Sequence, residues 1–273
     1  MMFFTTTCPE LSRKLHVRAN PKEPCDFLLK VFRETIRERE GKDVTRNDFV
    51  QLLMKLRETA SLSLDEMAAE SFIFYSGGFE TSSTTLNFCL YELAINKEVQ
   101  TKLRDEIKQG LEANDGKITY DSLFQLDYLD MVVKETLRKY PVIPVMLRKC
   151  TKEYTIPETS LVIPEGRNVL IPIYSIQHDP EYYPEPEKFD PERFSEENSK
   201  NRNPLTFLAF GEGPRGCIGA RFGMLQVKIG LVKLLANFEI NGTDKTNIPM
   251  EFVISSPFLT PLGHVMWLEL QRL

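Results

Sequence analysis

Ten consecutive residues, Phe210-Gly211-Glu212-Gly213-Pro214-Arg215-Gly216-Cys217-Ile218-Gly219, constrain this chain more than any other stretch. Four glycines and a proline among ten positions are incompatible with a regular helix or strand, so the segment is a tight loop. The adjoining segment, with Phe222, Leu225, Val227, Ile229, Leu231, Val232, Leu234 and Leu235, reads as a helix. The loop therefore holds one sulfur, that of Cys217, between glycines at a helix entrance. There the backbone can approach a flat ligand, and loop N–H groups with the positive helix end favour a thiolate. For such a cysteine standing alone, the plain alternative is a buried free thiol beside a turn.

Helical patterns dominate up to about Tyr140, and prolines with short β-type runs take over beyond it. Phe27, Leu28, Val31, Phe32 and Ile36 mark an amphipathic helix that exits through Glu40, Gly41 and Lys42. Ser63 with Glu66 is a capping box opening a long helix that runs toward Ala94 and carries Gly77-Gly78-Phe79-Glu80-Thr81-Ser82 at its middle. Each interior glycine costs about 1 kcal/mol against alanine, so a pair asks for a bend or a close approach. Helices are expected over Glu98–Leu111 and Asp121–Tyr140, the latter stopped by Pro141 and bearing Glu135 and Arg138, three apart on one face. Extended runs at Glu153–Ile156, Ser160–Ile163 and Asn168–Ile173 predict a small sheet, His178–Pro204 a long ordered loop, and Phe252–Leu270 a terminal hairpin.

Composition excludes several classes. With 34 basic against 39 acidic residues, a net charge of −5 and no basic stripe interleaved with aromatics, nucleic acid is not expected as a partner. Cysteines at 8, 25, 89, 150 and 217 form no CxxC pair, which argues for a reducing compartment. His16, His178 and His264 are too few and too scattered for the usual zinc sites. Met1–Thr7 lacks the features of an export signal, and the longest apolar run, Ala68–Tyr75, contains Glu70 and is too short to span a membrane.

The loop matches F-x-x-G-x-R-x-C-x-G, and three further segments fall in a matching order: Gly78-Phe79-Glu80-Thr81, Glu135-x-x-Arg138, and Pro191-Glu192-Arg193-Phe194. In these motifs the chain resembles the cytochromes P-450, and with Ala220-Arg221-Phe222 it is most similar to their insect microsomal branch. The resemblance implies a mainly α fold with small β-sheets, the cytochrome P-450 fold, of which the N-terminal half would be missing. Residues 1–63 form a helical segment with a loose match, and 64–273 the haem-binding C-terminal half. It implies haem b (iron protoporphyrin IX) with Cys217 as iron ligand, Arg215 and Arg148 on the propionates, and Phe210, Gly211 and Gly219 beside the ring. Glu80 and Thr81 would deliver protons on the oxygen-binding helix, while Glu135, Arg138 and Arg193 would form a structural network. Phe79, Val142, Val145, the Val142–Met146 segment and the hairpin tip at Phe258 and Leu259 would meet a lipophilic small-molecule substrate.

The implied activity is monooxygenation with electrons from NADPH through NADPH-cytochrome reductase, docked on basic residues such as Lys228 or Lys233. The family's place is the cytoplasmic face of the endoplasmic reticulum membrane; with the family's membrane anchor absent from this sequence, a cytoplasmic location is the alternative. Two other readings are a catalytically inactive truncated haem-binding fragment and a thiol-dependent enzyme using Cys217, which has no histidine beside it in sequence.

Overall fold

The computed structural model describes residues 9–17, 21–40, 42, 46–253 and 256–273. The Met1–Thr7 segment, Cys8 and Gly41 lie outside the described residues. Two compact units divide at Glu80 and Thr81, inside the long helix. The division read from sequence, 1–63 and 64–273, follows the specificity of the motif match.

The first unit holds α1 (Pro9–Lys14), α2 (Lys22–Glu40), α3 (Phe49–Ala60) and the first half of α4 (Leu64–Ile95). The expected capping box opens α4: Ser63 N donates to Glu66 Oε2 at 2.8 Å and Glu66 N to Ser63 Oγ at 3.2 Å. Asp48 caps α3 through Gln51 N at 3.0 Å and takes a bidentate grip from Arg39 at 2.7 and 2.8 Å, which holds its carboxyl below the usual carboxylate range. Ile36, Leu53 and Met67 form the small core of this unit.

In the second unit the end of α4 packs with α5 (Lys97–Glu112), α6 (Tyr120–Phe124), α7 (Asp127–Lys139) and α10 (Ala220–Leu235), which follows α8 (Ile173–Gln177) and α9 (Glu196–Ser199). Cys89, Leu93, Leu103, Ile107, Leu129, Val132, Leu231 and Leu235 are its core. The helix expected over Asp121–Tyr140 is two helices. Thr119 and Ser122 cap α6 reciprocally, and the N–H groups of Tyr128 and Leu129 at the start of α7 donate to Glu106 of α5 at 2.7 and 2.9 Å. A carboxylate 22 residues away thus fixes where α7 begins.

The strands also differ from expectation in their partners. β1 (Met146–Lys149) pairs antiparallel with β4 (Asn168–Ile171), Met146 opposite Ile171, while β2 (Tyr154–Thr155) pairs with β3 (Val162–Ile163). The single small sheet is therefore two separate ladders, and β1 was not legible as a strand. At the C-terminus Phe252 and Pro261 bridge as a hairpin would, but β6 (Leu268–Arg272) returns to β5 (Phe238–Gly242) after α10. Buried Gln100 fixes β5, donating to Leu93 O and Ile240 O at 2.7 and 2.8 Å and accepting from Ile240 N at 2.9 Å.

Lys228 corrects the docking expectation. It is 1% exposed, with Nζ 2.6 Å from Asp130 Oδ1 and 5.0 Å from the Phe124 ring centroid, so it ties α10 to α7 and is closed to a partner. Lys233 remains exposed.

Leu129→Ala, at a fully buried position, is expected to cost about 2–5 kcal/mol, whereas Leu205→Ala, at a mostly exposed one, stays within about 0.5 kcal/mol. Urea denaturation of the two variants beside the parent checks the contrast.

Candidate functional site

The glycine-rich loop closes on itself before it meets a helix. Gly211 and Gly213 adopt φ of 69° and 72°, Gly216 N donates to Gly213 O at 2.9 Å, and Cys217 N donates to Phe210 O at 2.7 Å. At Gly211 an added Cβ would both sit in the left-handed region and come within 3.2 Å of Met146 Cε. The loop is therefore pressed against β1.

A cavity of about 300 Å³ opens beside it. Cys217, Phe210, Gly211 and Arg215 of the loop, and Arg148 of β1, line one part; Val142, Ile143, Met146, Val133 and Leu137 supply apolar wall. Thr81, Ser82 and Thr85 of α4 contribute a row of hydroxyls, and Gly223, Met224 and Val227 of α10 line it as well. Seven residues singled out from sequence thus share one cavity: Thr81, Val142, Arg148, Phe210, Gly211, Arg215 and Cys217. Gly219, Val145 and Phe258 are not among the lining residues, although Leu259 N donates to Val142 O at 2.9 Å and so holds the hairpin tip to that segment. Phe79 and Glu80 belong to the first unit, where both are exposed and Phe79 stacks on Tyr75 with ring centroids 6.4 Å apart.

Behind the loop, Glu135 and Arg138 are completely buried. Arg138 Nε and Nη2 donate to the two carboxylate oxygens of Glu135 at 2.8 and 2.9 Å; its remaining donors reach Gln177 O at 2.9 Å and Pro186 O at 2.8 Å. Asp190 N adds a bond to Glu135 Oε1 at 2.9 Å, and Arg193 Nε stands 3.4 Å from the same oxygen, an ion pair without hydrogen-bond alignment. Burial pushes the Glu135 carboxyl upward, against the pull of Arg138. The guanidinium groups of Arg138 and Arg202 stand 5.3 and 4.7 Å from the centroid of the Tyr183 ring.

Gln177 was missed from sequence. Fully buried, it donates to Leu137 O and Arg138 O at 3.0 and 2.9 Å and accepts from Leu208 N at 2.8 Å, two residues before Phe210. It links the Glu135–Arg138 helix directly to the cysteine loop. A glutamine in Ser175-Ile176-Gln177-His178 carries no local signal of this.

The donor set suits a haem: one thiol, two guanidinium groups, glycines where a Cβ would intrude, and apolar walls. Cys89 offers no second candidate thiolate, since burial pushes its thiol up to about 12. No histidine lines the cavity, and no cluster of three metal-ligating side chains occurs among the described residues. The family model of Cytochrome P450 matches residues 1–263. The chain belongs to the cytochrome P450 family. Its relatives include Probable cytochrome P450 6a13 of Drosophila melanogaster, 51% identical over 89% of this chain and 50% of the fly protein. Cytochrome P450 6A1 of Musca domestica is 40% identical over 100% of this chain and 56% of its own length, and Cytochrome P450 6k1 of Blattella germanica 40% identical over 94% and 53%. These are insect P450s, the branch the motifs resemble, and the chain spans about half the length of the curated relatives it matches.

Removing one member of the buried pair leaves the other charge uncompensated. Arg138→Leu is expected to destabilise the P450 chain by about 3–5 kcal/mol, read by urea denaturation, with Glu135→Leu/Arg138→Leu less costly than the single change.

His178, stacked on Tyr174 at 3.9 Å, has its pKa lowered, by burial first and the Arg138 charge as well. A folded pKa below the unfolded value of about 6.5 means that this contribution is fully present above pH 6.5 and is lost as pH falls below it. Thermal unfolding between pH 7.5 and 5 is expected to show a smaller loss in His178→Phe than in the parent.

Proposed function

We propose that this chain carries the haem-thiolate site of a monooxygenase that inserts one oxygen atom from O2 into a lipophilic small molecule. The observation that carries the reading is the presence of Cys217, Arg148, Arg215 and Thr81 around one apolar-walled cavity. Haem b, when bound, supplies oxygen activation, and electron donation from its thiolate ligand favours O–O cleavage.

Cys217 provides the thiolate from a loop whose backbone is fixed by the Phe210 carbonyl and by Gln177. Arg148 and Arg215 receive the propionates as charge-assisted pairs. Val142, Ile143, Val133 and Leu137 exclude water and favour an apolar substrate, with Val145 and Phe258, outside the lining, as outer contacts. Thr81 holds a proton donor at the cavity wall, and Glu80, the preceding residue of α4, relays protons from solvent. Glu135, Arg138 and Arg193 act as scaffold, while Phe210, Gly211 and Gly219 shape the ring's bed.

Electrons come from NADPH through NADPH-cytochrome reductase, with exposed Lys233 among the docking residues in place of buried Lys228. The endoplasmic reticulum membrane is the proposed location. No helix among the described residues is long and apolar enough to cross a membrane. Family membership favours this reading over an inactive fragment, and the absence of histidine from the cavity lining disfavours a thiol-dependent enzyme.

The chain reconstituted with haem, reduced and exposed to carbon monoxide, is expected to give the red-shifted Soret band of thiolate ligation, lost in Cys217→Ala. A band that survives in the variant, or none in the parent, refutes the assignment.

A further inference from the structure

We propose that Ser82 and Gln226 form a positioning clasp that sets the separation between two walls of the cavity, the hydroxyl wall of α4 and the wall of α10 that continues from Cys217. The inference rests on the reading of this cavity as the haem and substrate site.

Ser82 Oγ donates to Gln226 Oε1 at 3.0 Å, joining residues 144 positions apart. Ser82 lines the cavity between Thr81 and Thr85, and Gln226 lies in the turn whose neighbours Gly223, Met224 and Val227 line it from α10. Thr85 Oγ1 is committed to Thr81 O, one turn back on its own helix, at 2.9 Å, so it does not reach across. Gly230 allows the two helices to come this near, since a Cβ there would press Leu86 Cδ2 at 3.0 Å, whereas one on Gly223 would make ordinary contact with Ser82 Oγ at 3.7 Å. Small residues permit the approach but do not fix it, because helices packed through glycine can slide. A directional bond at the cavity edge does fix it. Gln226 is exposed and water could satisfy its amide, so nothing about burial compels it to face Ser82.

The clasp acts on the site through the helices and touches no reacting atom. Its loss is expected to loosen the space in which a ligand on the open side of the haem is held, with little effect on folding.

The test uses the haem-reconstituted chain with imidazole as the probe, titrated by difference absorbance beside thermal unfolding. Ser82→Ala and Gln226→Leu are each expected to weaken imidazole binding about two- to tenfold, the range one net hydrogen bond spans, with thermal midpoints unchanged. The double variant is expected to be no weaker than either single, and Ser82→Thr, which keeps the hydroxyl, to match the parent. Additive losses, imidazole affinities equal to the parent's, or a fall in thermal midpoint without a change in affinity overturn the clasp. A parent chain that takes up no haem overturns the site reading and the clasp with it, whereas a parent that does so while its variants match it overturns the clasp alone.

Discussion

A carboxylate and a guanidinium with no access to water persist only where each lone pair and N–H finds a partner. Glu135 and Arg138 meet that condition with main-chain groups of Gln177, Pro186 and Asp190, with Arg193 as a third charge. Gln177 ends α8, and the other groups belong to the stretch that follows it, which has little regular secondary structure of its own. The pair therefore organises the stretch by drawing its carbonyls and amides to a fixed point, and Gln177 passes the order on to Leu208 and the loop that presents Cys217. An error in this network would move the thiol.

The cavity shows how different kinds of constraint divide the work. Position comes from the network and from Gly211 pressed on Met146; charge comes from two arginines in its lining; exclusion of water comes from branched aliphatic side chains on α7 and the segment before β1. These residues come from α4, from one run spanning α7 to β1, and from the loop and helix around Cys217, and only the cysteine loop announces itself locally.

That division explains what was legible. Helices α2, α4, α5 and α10 could be read from periodicity, and the capping box from two residues, because those signals are local. The Cys217 loop was legible for the same reason. The break at Gln125 and Leu126 was not, since Glu106 supplies the cap from a different helix. β1 was hidden because four residues bounded by prolines and charges have too little alternation, and its strand character comes from β4. Lys228 reads as a solvated face in any periodicity argument; only the approach of Asp130 makes its burial tolerable. Gln177 and Ser82 belong to the same class, polar residues whose partners are 31 and 144 positions away.

The cap that Glu106 places on α7 has a bearing on folding order. A helix of 13 residues is near the lower limit for persistence in water on its own, and this one lacks a side-chain cap of its own at Leu126. Its first turn is completed by α5, so the segment gains its helical stability on docking rather than before it. The ion pair at the far end of α7, and the irregular stretch it gathers, therefore depend on a helix whose first turn α5 completes.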